Sequence, residues 1–456
     1  MKTKVMFFFD TEDFVCDRSS DAIRDLAEIL TEEGVKGEFN IVGYLARELV
    51  RNRRSDVIEA LAPHAIGTQS LGHSAHPAIC ELTDMADYRV AYRNALASEA
   101  EGIGMVKAAT GLRDIAYAVP PGNSWSYAAL YAYADMGLTF YAGGGFADVA
   151  PEHVPGSGLV MGGLRRWGLW YCNLLQLPYT ELMSLEALMP SVGTPDIDTV
   201  LDEAARRDFV GFYMHPHMAV KTRHWDGPNF EQRNLTRWGE WIQVPDRAPA
   251  ETEAFYRKFR DFVRRVKADE RFAVTDTLEE IRHIKPRVRI TKADIPAILA
   301  SLKAHFGPVT APASWSVADV FQTVVSLLRG EESFLPSMGY GFLEEPKGVT
   351  EPLRVKTADL VAAASAIDTG TFIPVSIPVG GAEIGPADFL FAGLVALVTG
   401  CADVEVTPRE QLGTFDDVPG LDKLDIKGGW IIHSPEMNGR LLDRRLQLQL
   451  WTARFE

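Results

Sequence analysis

Three short segments of this 456-residue chain set carboxylates and imidazoles where apolar runs end. Val5 to Phe9 is followed by Asp10, Glu12 and Asp13. Gln69, His73 and His76 share a stretch rich in Gly, Ser and Pro, and Val210 to Met214 runs into His215-Pro216-His217. Such groups can hold a divalent ion and move protons, which is what metal-assisted hydrolysis needs. Gln69 and His73 stand four residues apart and His76 three further on, spacings that bring side chains to one side of a turn or helix. Neutral imidazole suits zinc and related ions, whereas a Gln amide is an uncharged, weak oxygen ligand. The set therefore reads as a hydrolytic metal site with one ligand missing. Acids behind a strand also serve as helix caps or solvated loop residues, so the acidic run taken alone does not establish a site.

The elements that must position these groups read as alternating strands and helices. Val5 to Phe9 is a strand buried on both faces, and acids at its carboxyl end point to the mouth of an α/β fold. Asp21 to Glu32 has Ile23, Leu26, Ala27 and Leu30 on one helical face, closes at Gly34, and precedes a strand over Gly37 to Val42. Ser55 to Ala62 reads as a short helix with Ser55 as a cap. Glu251 to Lys267 is a long amphipathic helix with Phe255, Phe259, Phe262 and Val263 inward, followed by a strand at Phe272 to Val274 and a turn of helix from Leu278 to Ile281. Such alternation predicts a parallel sheet or barrel. Spacing does not separate Glu12 from Asp13 as a ligand: period two sets Glu12 on the face of Asp10 only if the strand reaches that far.

The order and content of these motifs resemble the polysaccharide deacetylases of carbohydrate esterase family 4 over residues 1–286. Ile66-Gly67-Thr68-Gln69-Ser70-Leu71-Gly72-His73 fits the family's Ile-Gly-x-His-Ser-x-x-His with Gln in the first His position. Glu38-Phe39-Asn40-Ile41-Val42-Gly43 is similar to its second strand, and Pro120-Pro121-Gly122-Asn123 to its substrate-lining motif. The resemblance implies a distorted (β/α)7 barrel and hydrolysis of a carbon–nitrogen bond, the deacetylation of an N-acylated sugar or oligosaccharide. It further implies a divalent metal, zinc by ligand type, held by His73 with Glu12 or Asp13, and by Gln69 or His76 in place of the missing imidazole. Asp10 would be the general base and His215 the acid. Ala118-Val119 stand where the family carries an Arg, so the group that orients its base is absent or comes from elsewhere. Two alternatives follow from these departures: a metal-free hydrolase of small cyclic amides or ureides, and a catalytically inactive glycan-binding barrel.

Aromatic residues surround the motifs. Trp125, Trp225 and Trp238, with Pro121, Gly122, Asn123 and His217, are candidates for substrate binding, the last two tryptophans as a pocket rim that stacks on sugar faces. Tyr127, Leu130, Tyr131 and Ala134 have helical spacing and read as core.

With 46 Lys plus Arg against 62 Asp plus Glu, the net charge of −16 argues against nucleic acid or an anionic membrane as partner. Four scattered cysteines form no Cys-x-x-Cys pair. The amino terminus enters a strand directly, and its apolar stretch is too short for a signal peptide or membrane span, so the expected location is cytoplasmic. That setting favours a precursor, oligosaccharide or small amide as substrate.

From residue 287 to 456 the texture changes to a mainly helical, repeat-like accessory domain. Ala293-Asp294-Ile295, Ala318-Asp319-Val320, Ala358-Asp359-Leu360 and Ala387-Asp388-Phe389 each open an apolar run, which assigns these aspartates to helix capping. Thr371 to Leu390 is similar to a pseudomurein-binding repeat, which implies wall or glycan binding. The alternatives are a domain that packs on the barrel or mediates self-association.

Overall fold

The computed structural model describes residues 2–124, 126–141, 169–176, 182–189, 196–207, 209–230, 240–413, 432–434, 436–437 and 439–456. It divides into two compact units: residues 1–167, 176–284 and 423–442 in the first, and 168–175, 285–422 and 443–456 in the second.

The first unit begins with β1 (Thr3–Thr11). There follow α1 (Asp17–Glu32), β2 (Glu38–Ile41), α2 (Gly43–Arg51), α3 (Ser55–Leu61), β3 (Ala65–Thr68), α4 (Ile79–Thr83) and α5 (Tyr88–Thr110). Next are β4 (Tyr117–Ala118), α6 (Tyr127–Asp135), β5 (Phe140–Tyr141), β6 (Leu182–Ser184), α7 (Ile197–Ala204) and β7 (Phe209–Met214). α8 (Pro249–Ala268), β8 (Phe272–Val274) and α9 (Thr277–Arg282) follow. The strands pair in parallel in the order β5-β4-β3-β2-β1-β7-β6, with β8 beside the first half of β1. The expected parallel α/β arrangement is present. Among the described residues β5 and β6 are not paired with each other.

β1 lies at the centre because its side chains are apolar on both faces. Phe7 meets Phe212 at 5.8 Å and the edges of Phe259 and Phe262 from α8, while Phe9 stacks on Phe39 at 4.6 Å. This confirms the inward phenylalanines read from the α8 pattern. Phe9 is fully buried, and loss of a buried Phe ring leaves a cavity worth about 3–5 kcal/mol. Denaturant unfolding of Phe9→Ala is expected to show a stability loss in that range.

α1 starts at Asp17, four residues before the expected Asp21, because Asp13 organises its entry: Oδ1 accepts from the backbone N–H groups of Val15 (2.9 Å) and Cys16 (3.0 Å), and Oδ2 from the Ser19 hydroxyl. Ser55 is the first helical residue of α3 rather than its cap. α6 is buried at Tyr127, Leu130 and Tyr131, as its spacing predicts, but burial extends all round from Tyr127 to Tyr133, and Ala134, expected on the same face, is only half-buried.

The second unit holds α10 (Ile295–Ala304), α11 (Val317–Leu328), α12 (Thr357–Ala366) and α13 (Pro386–Thr399), with antiparallel pairs of short strands between them. Asp294, Asp319 and Asp388 each accept from the backbone N–H three residues earlier, at 2.8, 2.9 and 3.0 Å. These three are capping groups, as the repeat pattern suggested, whereas α12, which carries Asp359, starts without a side-chain cap. Every residue of α11 is buried, and Trp451 packs against Phe342, Phe306 and Phe321. The closing segment therefore belongs, from residue 443 onward, to this unit's own core.

Among the described residues no helix is long and apolar enough to cross a membrane.

Candidate active site

Strand register brings the distant motifs together. Phe9 pairs with Met214, so the next residues, Asp10 and His215, emerge side by side at the carboxyl ends of β1 and β7. Asp10 pairs with Asn40 and Asn40 with Gly67 across β2 and β3. Asn40 Nδ2 donates to Asp10 Oδ1 at 3.2 Å. Gly67 makes this possible, because a Cβ there would lie 2.6 Å from Asn40 Oδ1 and 2.3 Å from the Tyr117 ring. β1 runs on through Thr11, two residues beyond the apolar stretch.

Glu12 is the hub. Its Oε1 lies 3.1 Å from His73 Nε2 and 3.5 Å from His215 Nε2, and accepts from Gln69 Nε2 at 3.2 Å. Its Oε2 accepts from the Trp225 indole N–H at 2.9 Å. His215 Nε2 also stands 3.8 Å from Asp10 Oδ2. Of Asp10, Glu12, His73 and His215, only His215 keeps an appreciable solvent-facing fraction, 17 % of its side chain.

His73 sits on a strained loop: Ser70 and His73 both take left-handed backbone conformations, with φ of 66° and 50°. The loop is fastened by the Ser70 hydroxyl, which accepts from the His73 N–H at 3.0 Å. On the far side of the ring, Ser74 Oγ is 3.1 Å from Nδ1 and donates to the buried Asp226 at 2.8 Å. Asp226 Oδ2 is itself 3.6 Å from Nδ1.

Behind His215 stands Glu186, whose Oε1 is 2.7 Å from Nδ1 and accepts from the His215 backbone N–H at 3.1 Å. Ser184 pairs with Tyr213, so both residues lie two positions past one rung of the sheet. Glu186, Asp226, His224 and Asn40 were missed as site residues in the sequence. Only Asn40, two residues into an apolar strand, carried a local signal; the others need the sheet register or the loop's course to be placed.

The charges set one another. Burial pushes the Asp10 carboxyl up to about 6, His215 pulls it down and Glu12 pushes it up. Burial also works against ionisation of Glu12, but His73 and His215 more than offset it and hold Glu12 well below the usual carboxylate range. Burial opposes the charge on His215, yet Glu12, Glu186 and Asp10 raise it to about 10. Burial, His224 and His215 keep His217 well below the usual imidazole range.

The other expected residues fall elsewhere. Asp13, committed to the start of α1, turns away from Glu12's partners. His76 Nδ1 is 2.7 Å from Glu81 Oε2, so this ring faces α4. His73 and His76 both line a 330 Å³ cavity with Tyr44, Pro77 and Asn94. Trp225 is not a rim residue: it is 2 % exposed, packed on Phe14 at 4.8 Å and spent on Glu12. Pro121 and Gly122 form a tight turn, Gly122 with φ of 54°. Trp125, Trp238 and the side chain of Asn123 lie outside the described residues. His217 is 2 % exposed, beside His215.

No family model and no curated protein sequence matches the chain. Solved structures of family 4 carbohydrate esterases are among those it resembles. A CE4 family pseudoenzyme from Bacillus anthracis aligns at 13% identity and TM-score 0.33, over 61% of this chain and 65% of that one. A family 4 carbohydrate esterase from Streptomyces lividans, solved with acetate, aligns at 12% and 0.32, over 60% and 92%. The 4-alpha-glucanotransferase of Thermococcus litoralis aligns at 12% and 0.41, over 63% of this chain and 41% of its own. At such values these likenesses assign no residue its role.

The donor set fits a divalent ion. Gln69 Oε1 is buried without a hydrogen-bond partner, His73 Nε2 faces Glu12 Oε1 at 3.1 Å, and the Glu12 carboxylate lies beside both side chains. Zinc bonds of about 2.0–2.2 Å set neighbouring ligands roughly 3.3 Å apart. The 3.1 Å between Glu12 and His73 is close to that edge.

Proposed function

We propose that the chain is an amide hydrolase that deacylates an N-acylated amino sugar, a short oligosaccharide or a related amide. The observation that carries this reading is the junction at the ends of β1 and β7: a buried carboxylate of raised pKa, Asp10, and a partly open imidazole, His215, 3.8 Å apart beside Glu12. Glu12, His73 and Gln69 Oε1 would hold a divalent ion. When bound, that ion supplies polarisation of the acyl carbonyl and of an attacking water. Asp10 removes a proton from the water as its oxygen bonds to the carbonyl carbon, and Asn40 keeps the carboxylate aimed. His215 gives its Nε2 proton to the nitrogen as the carbon–nitrogen bond breaks, and Glu186 holds the ring through Nδ1. The products are a carboxylate and an amine.

A second reading, metal-free hydrolysis of a small cyclic amide by Asp10 and His215, is favoured by one feature: Glu12 already receives hydrogen bonds from Gln69 and Trp225. Elemental analysis of protein purified without added metal, followed by zinc titration and assay of amine release, separates the two. Tight metal with turnover lost on chelation supports the first reading, and turnover indifferent to chelation supports the second. Metal-independent sugar binding without turnover would leave a binding barrel. Gln69→His replaces an uncharged oxygen by an imidazole and is expected to tighten zinc by ~10–100-fold in the same titration.

A further inference from the structure

The Nε2 edge of His215 faces Asp10 and Glu12, at 3.8 and 3.5 Å, while its Nδ1 edge faces Glu186 at 2.7 Å. A second donor group gathers on that Nδ1 side. One ligand atom from each of Glu186, His215 and His224 lies within 4.8 Å of the others. The His224 ring stands nearly perpendicular to His215, with centroids 4.7 Å apart. His217 closes the cluster, its ring centroid 5.5 Å from His215 and 5.3 Å from His224. Its ring is buried, and neither nitrogen has a hydrogen-bond partner among the described residues. A buried imidazole with both nitrogens unsatisfied is costly unless something binds it. The Glu186 carboxylate in the same space disfavours an anion. Three imidazoles and one carboxylate are instead the ligand types of zinc, cobalt or nickel.

We propose that Glu186, His215 and His224, with His217 as a further donor, form a second divalent-metal site on the Nδ1 side of His215. His215 and His217 belong to the third sequence motif, but Glu186 and His224 belong to none, and the four come together from a turn after β6 and the loop after β7. An ion there takes Nδ1 and so displaces the His215–Glu186 hydrogen bond. If the function above holds, metal beyond the first equivalent slows turnover.

The test is calorimetric zinc titration of the metal-free full-length protein, with cobalt absorption as a second readout, on the wild type, His224→Ala, His217→Ala and Glu12→Gln. Circular dichroism checks folding, and His224→Gln serves if the alanine variant unfolds. Two sites are expected in the wild type. His224→Ala should lose one, His217→Ala should weaken it at least tenfold, and Glu12→Gln should lose the other. One ion in the wild type, lost in His224→Ala and kept in Glu12→Gln, would sustain this site and remove the metal from the proposed mechanism. One ion with the opposite pattern would overturn this site and leave the mechanism standing. Unchanged stoichiometry and affinity in both histidine variants would also overturn it, as would a wild type that binds no zinc.

Discussion

Asp10→Asn is expected to lower kcat by ~10³-fold or more while the protein stays folded. General-base catalysis contributes about 10²–10⁴-fold, and a buried site offers no obvious replacement for the base. The amide keeps the shape of the carboxylate and can still accept from Asn40 Nδ2, which now donates to Asp10 Oδ1 at 3.2 Å. Stability should move the other way from activity at neutral pH. Burial, opposed by His215 and aided by Glu12, raises Asp10 to about 6 in the folded chain. An unfolded Asp titrates near 4. A carboxyl raised in this way contributes its full stability below the unfolded value and loses it as pH rises from about 4 through 6. Asn carries no such loss, so the variant should gain on the wild type as pH goes from 4 to 8. Amine release and thermal unfolding at both pH values are the measurements. Retained turnover would remove Asp10 as the base.

The same residues show how much of the molecule was legible beforehand. Val5 to Phe9 announced a central strand because a parallel sheet covered on both faces demands an unbroken apolar run, and α8 announced its buried face by the spacing of its phenylalanines. The strand's end was not legible. β1 continues through Thr11 because β2 pairs with it as far as Ile41, a long-range partner that no local pattern contains. That extension sets Glu12 and Asp13 on different sides: Glu12 meets the imidazoles, and Asp13 turns to backbone N–H groups at the start of α1. Trp225 misled for a related reason. Its polar, Gly- and Pro-rich surroundings suggested a rim, whereas an indole N–H with a buried carboxylate as acceptor can be taken fully inside. Glu186 was invisible because it lies 29 residues from its partner. It is joined to His215 only by the pairing of two short strands.

That invisible carboxylate carries the other large effect. Glu186→Gln is expected to lower kcat by ~10²-fold and to move the alkaline limb of the pH–rate profile downward. His215 must be protonated to act as an acid, so activity falls as pH rises through its pKa. Burial alone would make the ring less basic. Three carboxylates, Glu12, Glu186 and Asp10, overcome that and raise it to about 10. Removing the charge of Glu186 takes away one of the three, so deprotonation begins at lower pH. The acid limb, set by Asp10 near 6, should move less, since Glu186 is not among the groups that fix it. A merely structural role would lower kcat at every pH and leave both limbs in place. Glu186→Asp keeps the charge while shortening the reach and should restore the alkaline limb more fully than the rate. This split arises because the charge of Glu186 tunes His215 over several ångströms, whereas its hydrogen bond at 2.7 Å sets the direction in which the proton is delivered.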